Sequence, residues 1–387
     1  MKLHHPIAGK YAVAIAVLTA LVLPSTGATA ADPRPATARE DRAGSVVGST
    51  PATAGLLPGL LTQPTDAWRI TYRSRGATGR SNTVSGLVVV PRDGRKGPRP
   101  LIAFAPGTVG LADRCASSRS GFALESLLFD RALRKGWAMV VTDYEGLGTP
   151  GEHTYLVGRA EGQAVLDAAR AAQRLPQARA RGVDRRSPVG IVGYSQGGHA
   201  AAWAAQLHAA YAPDLDLKGT AAGGVPANLL RAFAHNDGGP GSGFALMAAI
   251  GHDAAYPELG LARYLNPEGR RLARLASAGC VGETLAAMSG KRMSDITHKN
   301  PLDAPLWRKR MRSSDPGRIV PDRPVFLFQG QADELIPYED VPRLRSAWSR
   351  GNDAVTLRSV PFGNHATTVL DSLPPVQEWL DERLTKS

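Results

Sequence analysis

"IVGYSQGGHAAAWAA", residues 191–205, runs an apolar strand pattern into Gly193-Tyr194-Ser195-Gln196-Gly197 and continues as an alanine-rich helix. A serine between glycines at such a junction fits a sharp strand–turn–helix elbow, in which the backbone at Ser195 is strained and Gly193 and Gly197 leave room on both sides. The same five residues also fit an ordinary glycine-rich connection. The rest of the chain has to decide between these readings by supplying a base, an acid and a site for negative charge, in a workable order.

Strands and helices alternate on either side of the elbow. "WRITYRSR" (68–75) and "NTVSGLVVVP" (82–91) read as two strands around a Gly/Ser turn, and "PLIAFAPG" (100–107) as a short buried strand. "GFALESLLFDRALRKG" (121–136) has helical periodicity, "WAMVVTDYEG" (137–146) is a strand, and "RAEGQAVLDAARAAQRL" (159–175) is an amphipathic helix. The elbow strand 188–195 and its helix follow, then "KGTAAGGVP" (218–226) as a sixth strand. This alternation implies parallel βαβ units. Residues 227–318 break the rhythm with helical pieces and Gly/Pro punctuation, after which "PVFLFQG" (324–330) and "AVTLRSVPF" (354–362) resume the strands. The expected architecture is α/β, with a mostly parallel sheet flanked by helices. Its core spans 57–226 and 319–387, and a mainly helical cap is inserted over 227–318. Residues 31–56, rich in Ala, Pro, Thr and Gly, read as a flexible leader.

In an open α/β sheet, chemistry gathers at the carboxyl ends of the strands. Ser195 stands there, and so do Asp333 in "QGQADELIP" and His365 in "PFGNHATT", each after a later strand. Ser, Asp, His is the order of the triad in α/β-hydrolases with a nucleophile elbow, so the expected fold is an α/β-hydrolase fold. A serine hydroxyl attacks only when a base takes its proton; an imidazole titrating near neutrality can take it and return it to the leaving group, and a buried carboxylate orients that imidazole. The backbone N–H of Gln196 is the first expected oxyanion donor. The turn "APGTVG" (105–110) should supply the second, with Thr108 as first choice and Gly107 next. Glu334 is the rival acid, beside Asp333. His199 is the rival base, one turn into the elbow helix, and reads as structural because that helix packs on the sheet. His153, His208, His235, His252 and His298 carry no partner pattern. "GLGTPG" (146–151) matches a dinucleotide fingerprint, but Pro150 and the following residues delay the next helix, so it reads as a loop at the rim of the site.

The whole chain sets bounds. It has 387 residues, 43% of them hydrophobic, enough for a large core. Lys2 and Lys10, the apolar stretch 11–23 and Ala28-Thr29-Ala30 compose an export signal cut after Ala30. The apolar stretch is short for a membrane span, so no stable insertion is expected once the signal is removed. Cleavage lowers the net charge of +12 by two. The arginines are spread along the chain and no nucleic-acid module is present, so the charge reads as a solvated surface with at most transient contact with lipid interfaces. Cys115 and Cys280 are the two cysteines. In an exported protein they are expected to pair, and no Cys/His spacing suggests a metal. The chemistry requires no cofactor.

"APGTVGLADRC", "TDYEGLGTPGEHTYLVG", "GYSQGG", "GQADELIP" and "GNH", taken in that order, resemble the secretory lipase family, which includes the fungal lipase A type. The resemblance runs from about residue 60 to the C-terminus. It implies Ser195 as nucleophile, Asp333 as acid, His365 as base, a cap after the sixth strand and hydrolysis of acyl-lipid esters, such as triacylglycerol or simpler carboxylic esters. The fungal members carry an acidic residue near the oxyanion position, where this chain has Gly107-Thr108. A serine peptidase or acyltransferase on the same triad, and a non-catalytic binding protein on a hydrolase fold, are the competing readings; the complete triad argues against the last. Within the cap, "GFALMAAIGHDAAY" (243–256) reads mainly as packing, with an acyl tunnel as the alternative.

Overall fold

The computed structural model describes residues 42–54, 63–120 and 125–385; the export signal read over 1–30 lies outside them. Among the described residues one sheet of nine strands is formed: β1 Val46–Ala52, β2 Thr65–Arg75, β3 Ser81–Pro91, β4 Leu101–Ala105, β5 Ala138–Thr142, β6 Val189–Tyr194, β7 Leu217–Gly223, β8 Val325–Gly330 and β9 Val355–Val360. Their spatial order is β1-β2-β3-β5-β4-β6-β7-β8-β9. The first three strands and β5 pair antiparallel, and every pair from β5–β4 to β8–β9 is parallel. β4 and β8 are buried along their whole lengths, as strands covered on both faces must be.

The flexible leader expected over 31–56 is corrected in part: Val46–Ala52 is an edge strand antiparallel to β2. Its Gly48 and Pro51 disguised it, and both are tolerated because an edge strand has a free side and half of this one is exposed. The inserted segment consequently follows the seventh strand rather than the sixth.

Helices cover both faces of the sheet. α1 Glu125–Arg134, α2 Gly158–Arg174 and α3 Gln196–Tyr211 connect the central strands. Between β7 and β8 lie α4 Leu229–Asn236, α5 Ser242–Ala255, α6 Pro267–Ser277, α7 Val281–Met288 and α8 Pro305–Ser313, with short turns between them. α9 Asp340–Trp348 and α10 His365–Leu384 complete the chain. The alanines of α3 let it lie close against α2: a Cβ at Gly162 would stand 2.8 Å from Ala204 N. One core cluster fills this face with Ala164, Leu166, Ala200 and Ala204, and another fills the α10 face with Phe104, Val192, Phe328 and Leu380. The inserted segment has its own cluster around Leu246, Leu272 and Trp307, which Tyr155 and Leu156 join from the loop before α2.

A disulfide joins Cys115 to Cys280, with Cα atoms 5.6 Å apart. Backbone bonds reinforce the seam: Val281 N donates to Val109 O at 2.8 Å and Leu111 N to Gly279 O at 3.2 Å. The inserted segment is thus fastened to the loop that leaves β4.

Candidate active site

The chain passes from β4 to β5 on one side and returns to β6 on the other, so β4 and β6 are neighbours with Ala105 opposite Gly193. This is the switch point at which a crevice opens beyond the strand ends. Gly107 and Thr108 leave β4 there, and Ser195 leaves β6. Ser195 has φ 61° and ψ −122°, and its own N–H donates to Gly223 O at 3.0 Å. A non-glycine residue held at positive φ stores roughly 1–3 kcal/mol that the surroundings must offset. The glycines are sterically required: a Cβ at Gly193 would meet Gly197 O at 2.0 Å, and one at Gly197 would meet Ala105 O at 2.0 Å. Ser195 occupies the N-cap of α3, so the Gln196 N–H and the positive end of the helix dipole face the space beside its hydroxyl.

His365 begins α10 and Asp333 follows β8. His365 Nδ1 lies 2.9 and 3.0 Å from the two Asp333 carboxylate oxygens. That carboxylate is buried and also accepts from Leu335 N, Ile336 N and Gln329 Nε2, at 2.9 to 3.0 Å. Glu334, the rival acid, instead accepts the backbone N–H of His365 at 2.9 Å. Tyr194 Oη donates to His365 O at 2.7 Å, and its ring packs 4.9 Å from the imidazole. His365 Nε2 and Ser195 Oγ take no hydrogen-bond partner among the described residues, and both residues line one cavity.

The rival base is held differently. His199 is fully buried, with Nδ1 2.8 Å from a Glu161 carboxylate oxygen and Nε2 2.8 Å from the Ser314 carbonyl. Both nitrogens are turned to these partners, so neither is presented to Ser195. No helix starts on the loop 146–151; α2 begins at Gly158.

The cavity at Ser195 measures about 320 Å³ and is apolar, walled by Phe104, Val192, Phe244, Phe328, Val369 and Leu373, with Gly107 and Thr108 beside Ser195. A smaller pocket of about 30 Å³ also touches Ser195, between Phe244 and Phe233, and Phe233 is shared with a second cavity of about 210 Å³ inside the inserted segment, against Trp307 and Met311. Most of α5 is packing, as expected, but Phe244 lines the cavity beside Ser195 and Ala245 and Ala249 line the second cavity.

A family model for secretory lipases matches residues 115–387. The chain belongs to the secretory lipase family. A probable inactive lipase of Mycobacterium tuberculosis is 30% identical to this member over 347 residues, covering 84% of this chain and 75% of the relative. Secreted triacylglycerol lipase LIP5 of Malassezia globosa is 26% identical over 371 residues, covering 89% and 76%. Among solved structures, Candida antarctica lipase A in its closed state superposes with a TM-score of 0.78 at 22% identity, covering 89% of this chain and 83% of that one. The rice cell wall degrading esterase LipA of Xanthomonas oryzae gives 0.72 at 19% identity, covering 89% and 98%. Likeness at these identities speaks for the shared α/β-hydrolase fold. Family membership carries the coarse activity, that of a lipase or esterase.

Several residues of this member's site escaped the sequence reading. Gln329 binds Asp333 from inside β8, and Glu161 and His153 bind the side chain of Gln196. Their partners lie 35 or more residues away except for Gln329. The one local signal was an acidic residue on the otherwise small-residue face of α2 that packs on α3.

Proposed function

We propose that this protein is a secreted serine hydrolase of acyl-lipid esters. The observation that carries the reading is one apolar cavity lined both by a strained serine and by a carboxylate-held imidazole. Ser195 Oγ attacks the ester carbonyl as His365 Nε2 takes its proton. The developing oxyanion sits against the N–H of Gln196 and the Gly107-Thr108 turn. His365 returns the proton to the departing alcohol, leaving an acyl-enzyme. Water then adds to the acyl-enzyme with His365 again as base, and the acid leaves. Asp333 holds the imidazole in its tautomer and stabilises its charged form.

Apolar space on both sides of Ser195 supports substrates with hydrophobic arms. The turn just before His365 supports a transient lipid-interface partner: Phe362 is 93% exposed at φ 58°, and Leu370 projects from the same end of α10. The secreted names of the Malassezia relatives support export. The relative described as a probable inactive lipase makes activity the first thing to measure. The test is hydrolysis of p-nitrophenyl esters from acetate to palmitate, with a matched anilide, by the mature protein and Ser195→Ala. The reading expects ester turnover that rises with chain length and falls about 10⁶-fold in the variant. Turnover surviving in Ser195→Ala would overturn the mechanism, and anilide cleavage matching the esters would make the protein a peptidase.

A further inference from the structure

The groups that face the reacting space from both sides of Ser195 are gripped by one stretch of chain, residues 145–157, together with Tyr144 before it. Tyr155 Oη lies 2.8 Å from Thr108 Oγ1. Burial holds the Tyr155 phenol protonated, well above its usual range. Two residues earlier, His153 Nδ1 lies 2.9 Å from the Glu145 carbonyl, and its Nε2 lies 3.1 Å from the side-chain nitrogen of Gln196. A carbonyl only accepts, so Nδ1 carries the ring hydrogen and Nε2 offers a lone pair to the Gln196 amide. Burial pushes the His153 imidazole below its ordinary value, in keeping with a neutral ring. The second amide hydrogen of Gln196 goes to Glu161 Oε1 at 2.8 Å, and that same oxygen accepts Leu156 N at 3.0 Å. Tyr144 Oη donates to Pro106 O at 2.8 Å, fixing the residue before Gly107, and its ring stacks on His153 at 5.9 Å. His153, Glu161, Tyr144 and Tyr155 are all buried.

We propose that residues 144–157 clamp the oxyanion hole, with Tyr155 and His153 as positioning residues. Tyr155 donates to Thr108 Oγ1, which leaves the Thr108 hydrogen free to point at the oxyanion. His153 and Glu161 fix the Gln196 side chain, and with it the first peptide of α3, whose N–H is the other donor. The loop that looks like a dinucleotide motif in the sequence thus serves as the scaffold of a charge-stabilising site. The inference rests on Ser195 being the nucleophile.

The test pairs p-nitrophenyl butyrate kinetics with labelling of Ser195 by a fluorophosphonate, whose adduct places an oxygen in the same hole. Thr108→Val should lower kcat about 10²-fold with KM little changed, the scale of one lost oxyanion donor. Thr108→Ser should restore most of that loss. Tyr155→Phe, which keeps the ring and its packing, and His153→Leu should each lower kcat about tenfold, as loss of one orienting hydrogen bond does. The double variant Thr108→Val/Tyr155→Phe should be no slower than Thr108→Val, because the two hydroxyls act as one unit; a packing role would make the losses multiply. Multiplying losses, or Tyr155→Phe within twofold of wild type in both kcat and labelling rate, would overturn the clamp while leaving the nucleophile standing. A wild-type protein that takes no label on Ser195 would bring down both.

Discussion

Two histidine–carboxylate pairs flank Ser195, and they are alike in everything except the nitrogen that the carboxylate does not hold. His365 and His199 each present Nδ1 to a buried carboxylate at 2.8 to 2.9 Å, Asp333 in one case and Glu161 in the other. His365 stands at the cavity wall and its Nε2 takes no hydrogen-bond partner among the described residues, whereas His199 is buried with Nε2 against the Ser314 carbonyl. A carboxylate partner therefore does not make a histidine a base. A lone pair with access to the nucleophile does, and the same chemical pair becomes a structural tie when its last nitrogen is occupied.

Four expectations break or sharpen this contrast. The largest concerns His365→Ala, which should lower kcat by about 10⁶-fold, close to the loss for Ser195→Ala itself, because members of such a unit fail together. Next, Asp333→Asn should cost about 10⁴-fold in kcat by admitting the wrong tautomer, and Glu334→Gln far less; equal losses would mean that both carboxylates orient the ring. Third, His199→Asn should act on folding. It leaves one buried oxygen of Glu161 without its partner, so urea unfolding should show a loss of about 1–3 kcal/mol; unchanged stability with a collapsed kcat would reverse the roles of the two histidines.

The smallest effect is a pH slope around Ser314. Burial depresses the His252 imidazole to about 4, so its contribution to stability is present above 6.5 and is lost as pH falls through about 4. Burial raises the Asp315 carboxyl to about 6, so its contribution is present below 3.8 and is lost as pH rises through about 6. The two oppose each other between pH 4 and 6. Stability measured across that window should rise more steeply with pH in Asp315→Asn and more gently in His252→Gln than in the wild type.

The legible parts of this molecule were those whose cause is local. Ser195, Asp333 and His365 each stand just beyond the end of a strand, and the elbow writes its geometry into two glycines that have no steric freedom to be anything else. The cap announced itself as a break in rhythm. What stayed hidden depends on distant partners. Glu161 and Asp167 look like solvent-facing charges on an amphipathic helix, yet α2 is covered by the sheet and by α3, and both are fully buried. His153 meets Gln196 across 43 residues, and no periodicity encodes that distance. β1 was missed for the opposite reason: it is an edge, so its sequence need not look like a strand at all.

The bond between Cys115 and Cys280 changes what kind of moving part the inserted segment can be. A segment attached only where it leaves β7 and where it enters β8 is a door on two hinges, free to swing as a whole. A third attachment, off the hinge line and beside the turn that carries Thr108, makes it a tripod, and a tripod does not swing. Any movement of the segment is then confined to bending within one of its spans, between Gly223 and Cys280 or between Cys280 and Val325, while the feet stay planted. A reductant that cuts the bond would leave that foot held only by the backbone hydrogen bonds of Val281 to Val109 and of Leu111 to Gly279.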